Sequence, residues 1–187
     1  RDTAPARAPS VAYTEIPDEK VAQFDALIKA NVPGLKPEDY GRTPVMTVRV
    51  FSLNGVEIDP AKAKPSERWF VEDEIGATWL AEKPPSAKLV SGTWWPKTWN
   101  DPIDARVSLE ADAAAGIGAK VGDTLGVLVS GREIEAKIAN LRTVDWAGFG
   151  ANFALVFAPG AFEGAAFRHF AIARLTPADE AKITTAL

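Results

Sequence analysis

FRHFAIARLTPADEAKITTAL (residues 167–187) and VAYTEIPDEKVAQFDALIKAN (residues 11–31) decide the fold between them, because both read as strand, proline-led acidic turn and helix. Residues 11–16 alternate apolar and polar side chains, the period of a half-buried strand. Pro17-Asp18-Glu19 then puts carboxylates into the first turn of a helix whose Val21, Phe24, Leu27 and Ile28 fall on one stripe, and which ends near Asn31, ahead of Pro33-Gly34. In the second stretch residues 167–175 form the strand, Thr176 is the N-cap, Pro177 occupies the first helical position, and Asp179 and Glu180 follow in the first turn. Two such units predict an α+β fold: a split-βαβ, ferredoxin-like subdomain assembled from both ends of the chain, with the middle inserted as a β-rich subdomain. The expected division is a linker at 1–8, the first subdomain at 9–56 and 163–187, and a mainly β insert at 57–162. The two chain ends then lie close together.

Inward from these ends, residues 43–53 are rich in β-branched side chains and close on Asn54-Gly55, a strong hairpin signal. Residues 59–68 are polar and punctuated by proline. Residues 68–80 read as extended, anchored by Trp69, Val71 and Ile75 or Trp79, with their pairing left open. Arg106-Val107-Ser108-Leu109 is a short strand, and residues 110–115 a small alanine-rich helix that Gly116 terminates. Strands at 125–129 and 134–141 are joined by Ser130-Gly131-Arg132-Glu133, and a further strand spans 152–157.

Composition narrows the function. The chain of 187 residues is 47% hydrophobic and 25% charged with a net charge of −4, an ordinary globular mixture with no basic block of the kind that neutralises phosphates, so nucleic acid is set aside. No cysteine is present, which excludes disulfides and thiol chemistry. The apolar run at 153–158 is far shorter than the ~20 residues that span a bilayer. The chain therefore reads as soluble, which does not exclude a loop domain excised from between two membrane spans, and a start such as RDTAPARAP reads as linker.

A search for chemistry finds little. His169 is the only histidine, so a histidine metal cluster is impossible and a Ser-His-Asp site would have to be built around it; a structural role is expected. None of the serines sits in a Gly-x-Ser-x-Gly elbow. Glu72-Asp73-Glu74 lacks EF-hand spacing and reads as a solvated face. Gly116-Ile117-Gly118 precedes a strand and not a helix, which argues against a dinucleotide loop. Asp145 beside Trp146 reads as a turn-capping carboxylate over a packed indole. No catalytic residue, cofactor or metal ligand is assigned.

Trp94, Trp95 and Trp99 are the site candidates that residue chemistry supplies. They fall within six residues of Pro- and Gly-punctuated sequence, and adjacent Trp94 and Trp95 cannot share one face of a strand or helix, so at least one indole should be partly exposed. Exposed aromatics anchor a protein partner, line a hydrophobic passage or sit at a membrane's headgroup layer. Sealing a joint between two subdomains is the structural alternative.

The ordered set Gly116-Ile117, Gly122-Asp123, Leu141-Arg142-Thr143-Val144-Asp145-Trp146, Asn152-Phe153 and Phe157-Ala158-Pro159-Gly160 resembles ABC-transporter permeases of the FtsX/MacB superfamily, especially the YbbP-like branch. The strand from Pro44 to Asn54-Gly55 and the stretch LVSGTWW (residues 89–95) are similar to that branch as well, and Ala154 departs from its usual second aromatic. The resemblance implies a porter-like subdomain and a second α/β part standing outside the inner membrane, in the periplasm. It implies a permease that works with a cytoplasmic ABC ATPase through its membrane part, moving lipophilic substrates: lipids, lipoproteins or hydrophobic compounds. Long members look internally duplicated, and this chain resembles the second copy, so a second extracytoplasmic domain or a periplasmic protein is an expected partner. The expected role is non-catalytic. A periplasmic binding module, which needs an enclosed apolar pocket of ~300–1,000 Å³, and a secreted hydrolase are the alternatives.

Overall fold

Tyr13 stands directly opposite Ala171, so the strands nearest the two ends of the chain are neighbours in one sheet. The computed structural model describes residues 10–144 and 153–187; Asp145, Trp146 and Asn152, singled out above, lie outside the described residues. Chain order is β1 (Ser10–Pro17), α1 (Val21–Asn31), β2 (Tyr40–Leu53), β3 (Val56–Glu57), α2 (Trp69–Glu72), β4 (Ile75–Trp79) and β5 (Lys88–Gly92). There follow β6 (Arg106–Glu110), α3 (Ala111–Gly116), β7 (Thr124–Val129), β8 (Arg132–Thr143), β9 (Leu155–Phe157), β10 (Arg168–Arg174) and α4 (Pro177–Ala186).

The chain divides into two compact units, the first holding the described residues up to Pro44 together with Phe167–Leu187, the second holding the rest. In the first unit the strand order is β1, β10, then the start of β2, with β1 antiparallel to β10. Helices α1 and α4 pack against one another, and their Phe24, Ile28 and Ile183 meet Ala171, Ala173 and Leu175 in one buried cluster. The small alanines of β10 let two helices approach the same face. Thr176 caps α4 by accepting from the Asp179 N–H at 3.2 Å, and Pro177 begins the helix, as its sequence demands.

The second unit is a closed six-stranded barrel. Pairing runs β2–β4–β9–β6–β8–β7 and back to β2, with β4–β9 and β6–β8 parallel and the other four pairs antiparallel. The sequence led us to expect a mainly β insert; ring closure was not foreseen. Its interior is filled by Val48, Val50, Val107, Leu109, Leu125, Val127, Ile138, Leu155 and Phe157, contributed by alternating positions of the long strands. β3 adds to β2 through Asn54-Gly55, and β7 turns into β8 through Ser130-Gly131, both with positive φ at the two turn residues, which gives the twist a tight hairpin requires. The second connection is thus two residues tighter than the four assigned from sequence. Residues 69–72, expected to be extended, form a helical turn that buries Phe70 and Val71; only Ile75–Trp79 is strand.

Candidate functional site

β5 leaves the barrel at Gly92, whose φ of +77° and position over β8 admit no side chain: a Cβ would stand 2.2 Å from the Ala139 carbonyl oxygen. Trp94 and Trp95 follow at once. Trp95 is buried against Val156 and Ala158, and its Nε1 donates to the Leu80 carbonyl at 2.9 Å. Trp94 is half-buried and packs on Trp95: its Nε1 donates to the next carbonyl, that of Ala81, at 3.1 Å, and the two rings lie 4.2 Å apart at 35°. The two adjacent indoles thus pack against the same apolar cluster, Trp95 rooting the loop and Trp94 lying against it, partly exposed.

Trp99 is also half-buried, positioned by a turn in which its N–H donates to the Pro96 carbonyl at 2.9 Å. The Arg106 guanidinium lies 5.3 Å from its ring centroid and is itself held by Asp104 at 2.7 Å. Asp101 then organises the loop tip: one carboxylate oxygen accepts the N–H groups of Ile103 and Asp104 at 2.8 and 2.9 Å. These bonds, first Asp104's and then Ile103's, hold the Asp101 carboxyl below the usual carboxylate range. The tip is consequently pre-organised while Ile103 is 92% exposed. Its sequence signal is the motif Asp-Pro-Ile-Asp, an apolar residue inside a polar turn.

The barrel carries a buried polar line behind this loop. Ser108 donates to Asn140 Oδ1 at 2.5 Å, and Asn140 Nδ2 donates to the Thr93 carbonyl at 3.2 Å. Arg142, 2% exposed, donates through Nη2 to the Phe153 carbonyl at 2.5 Å; burial lowers its pKa to about 10, with Glu110 opposing the shift. Glu110 spends both carboxylate oxygens on α3, accepting from the Asp112 and Ala113 N–H groups at 3.0 and 2.7 Å.

In the first unit the single histidine is occupied. Arg42 Nη1 stands 2.9 Å from His169 Nδ1, and because a guanidinium only donates, Nδ1 accepts and the Nε2 proton goes to Asp18 at 2.8 Å. Arg42 also pairs with Asp25 at 3.1 Å, and Asp25 accepts from the Tyr40 hydroxyl at 2.5 Å. Neither ring nitrogen is left for a serine hydroxyl. The network was invisible in sequence because its members come from positions 18, 25, 40, 42 and 169. Glu72-Asp73-Glu74 is solvent-exposed, and among the described residues no group of three or more acidic or histidine side chains is arranged to hold a metal ion. Gly116-Ile117-Gly118 ends α3, where the N–H of Ile117 bonds the Ala114 carbonyl. A cavity of about 510 Å³ lies along β1, half open to solvent and not enclosed. Among the described residues no helix is long and apolar enough to cross a membrane.

The chain is similar to part of an ABC transporter permease. It is 28% identical over 160 residues, 86% of its length, to the uncharacterized ABC transporter permease YbbP of Escherichia coli (strain K12), and it spans 18% of that protein. That similarity supports a permease-type domain. No family model matches. A solved domain of a permease protein from Porphyromonas gingivalis aligns with 79% of this chain and 61% of its own, at 11% identity and a TM-score of 0.39.

Proposed function

We propose that the chain is a non-catalytic extracytoplasmic domain of an ABC-transporter permease of the FtsX/MacB type, coupling ATP hydrolysis inside the cell to movement of a lipophilic substrate. The observation that carries this reading is the similarity to YbbP, which extends over both units and not over one motif. The pairing of β1 with β10 supports it. Ser10 lies opposite Arg174, so the strand that opens the domain is hydrogen-bonded to the strand that leads into its last helix. On this reading the first unit is three strands and two helices of a ferredoxin-like, porter-like sheet, the order β1-β10-β2 being that of a split βαβ unit.

The half-exposed faces of Trp94 and Trp99 form the contact surface for a second extracytoplasmic domain, a periplasmic protein or the substrate. Trp95 supports them from beneath. The cytoplasmic ATPase is reached only through the membrane part of the full-length protein. The test has two arms. The full-length permease, purified from its native membrane, should bring the ATPase with it, whereas the isolated domain should neither bind nor hydrolyse ATP; ATPase activity that tracks the purified domain overturns the reading. Trp94→Ala and Trp99→Ala in the full-length protein should reduce substrate movement while leaving ATPase association intact.

A further inference from the structure

Two motifs of the sequence meet at one end of the barrel: Asn54-Gly55, the turn between β2 and β3, and Gly122-Asp123, just ahead of β7. Asn54 and Gly55 are exposed, and both have positive φ. The Asn54 backbone N–H donates to the Thr124 carbonyl at 2.8 Å, and the Asn54 side-chain Oδ1 accepts the Thr124 N–H at 2.9 Å. Its Nδ2 donates to Asp123 Oδ1 at 3.2 Å, while Asp123 Oδ2 accepts the Lys120 N–H at 3.0 Å. The carboxamide is thereby held at both ends by a segment 69 to 70 residues away. This clasp continues the pairing of β2 with β7, whose last register pair is Leu53 with Leu125, and so finishes the seam that closes the barrel.

We propose that Asn54 is a site of spontaneous deamidation, guarded in the folded chain by its bonds to Asp123 and Thr124, and that its conversion releases this end of the seam. Asparagine followed by glycine is the pair most open to cyclisation, because glycine sets no side chain beside its amide nitrogen. The Gly55 nitrogen attacks Asn54 Cγ and closes a succinimide ring; the Cγ–Nδ2 bond breaks, and Nδ2 leaves as ammonia carrying the Gly55 amide proton. Water then opens either imide carbonyl, leaving aspartate or isoaspartate. Nothing stands within 4 Å of where a Gly55 Cβ would be, so the turn admits that water. Ring closure needs a side-chain rotamer and a backbone angle of its own, whereas the tight turn fixes the backbone and the two bonds fix the carboxamide. Once formed, aspartate sets a carboxylate oxygen against Asp123 where Nδ2 had donated, two like charges at hydrogen-bond distance. Isoaspartate also adds one backbone atom to a two-residue turn, which the hairpin geometry does not accommodate.

The experiment incubates the 187-residue chain at neutral pH and separates asparagine, aspartate and isoaspartate at position 54 by peptide mapping; Asn-Gly occurs once in the sequence, so the signal belongs to this turn. Conversion should be fast in urea and slow in the native chain, because native cyclisation waits on local opening. Asp123→Ala removes one of the two bonds and should speed native conversion by about two- to tenfold. Val107→Ala, a buried change on β6, which pairs with β8 and β9 and with neither β2 nor β7, controls for general loosening and should leave the rate within about twofold of the unmutated chain. Asn54→Asp should lower the unfolding midpoint, and adding Asp123→Asn should restore most of the loss, since one of the two facing charges is then gone. Native conversion as fast as that in urea overturns the proposal without recourse to any variant. So does an Asp123→Ala rate no higher than that of Val107→Ala, and a midpoint unmoved by Asn54→Asp overturns the release of the seam.

Discussion

In the barrel each of six strands has a partner on either side; in the first unit, among the described residues, the sheet stops at β1. One strand serves both, because β2 contributes residues up to Pro44 to the open sheet and from Val45 to the barrel. Closure satisfies every ladder and depends on non-local pairs, including the parallel β4–β9 and β6–β8 contacts that join segments far apart in sequence. The open sheet is joined non-locally as well, β1 to β10, but each of its helices follows directly on its own strand, and among the described residues it keeps one edge without a strand partner. A closed ring leaves no strand edge within it, whereas an open edge presents unpaired backbone groups.

The largest expected effect separates the two cores. Phe157 is fully buried on the three-residue β9 that links β4 to β6, so Phe157→Ala should destabilise the barrel by about 3–5 kcal/mol. The described tryptophans, Trp69, Trp79, Trp94, Trp95 and Trp99, all belong to the barrel unit, and denaturant unfolding followed by their fluorescence measures this directly. Ile28→Ala, in the helix-covered core of the open sheet, should cost about 2–5 kcal/mol, read as lost amide protection in α1. A Trp-detected midpoint unmoved by Phe157→Ala would break the comparison. Next in size, Gly92→Ala should cost about 1–3 kcal/mol as a drop in the same midpoint, because the new Cβ meets the Ala139 and Asn140 backbone, which cannot swing aside as a side chain would.

The same contrast explains what the sequence disclosed. Both strand–helix units of the open sheet were legible because the signals are local: Val21, Phe24, Leu27 and Ile28 at helical spacing and Thr176-Pro177 at a helix start. The barrel's strands were legible one by one, but nothing in the three residues Leu155, Val156 and Phe157 announces that one neighbour will be parallel and the other antiparallel. Residues 68–72 misled because Trp69 and Val71 favour strands, while burial of Phe70 and Val71 together requires a helical turn. At the candidate site, the irregular sequence implied that at least one of Trp94 and Trp95 is partly exposed, but their packing on one another, and which one is buried, depended on the Leu80 and Ala81 carbonyls that follow β4. Exposed Ile103 was overlooked among louder aromatic neighbours.

Helix caps give a finer comparison between the units. Glu110→Ala removes two bonds to α3, one of them buried, and should cost more than Thr176→Ala, which removes one exposed bond from α4; both fall within about 0.5–2 kcal/mol. Thermal unfolding of the two variants ranks them, and a Thr176→Ala loss larger than that of Glu110→Ala would show that burial does not set cap strength here.

The smallest effects are those of pH, and they run in opposite directions in the two units. Asp101 in the barrel loop has a lowered pKa because its carboxylate accepts two backbone N–H groups, so its contribution is present above the unfolded value of about 4 and lost as pH falls through the folded one. Tyr40 in the open sheet has a raised pKa, first from burial and then from its bond to Asp25, so its contribution is present below about 10 and lost as pH rises through the folded value. Asp101→Asn keeps an acceptor oxygen but no titrating group, and should flatten the acid limb of the Trp-detected midpoint below about pH 4 while leaving the alkaline limb alone. Tyr40→Phe should do the reverse, read as alkaline loss of amide protection in α1 and β10, with Tyr13, whose pKa is raised by burial, remaining as the internal control. If Asp101→Asn moved the alkaline limb instead, the loop and the open sheet would be titrating as one body, and the contrast between the two units would have to be given up.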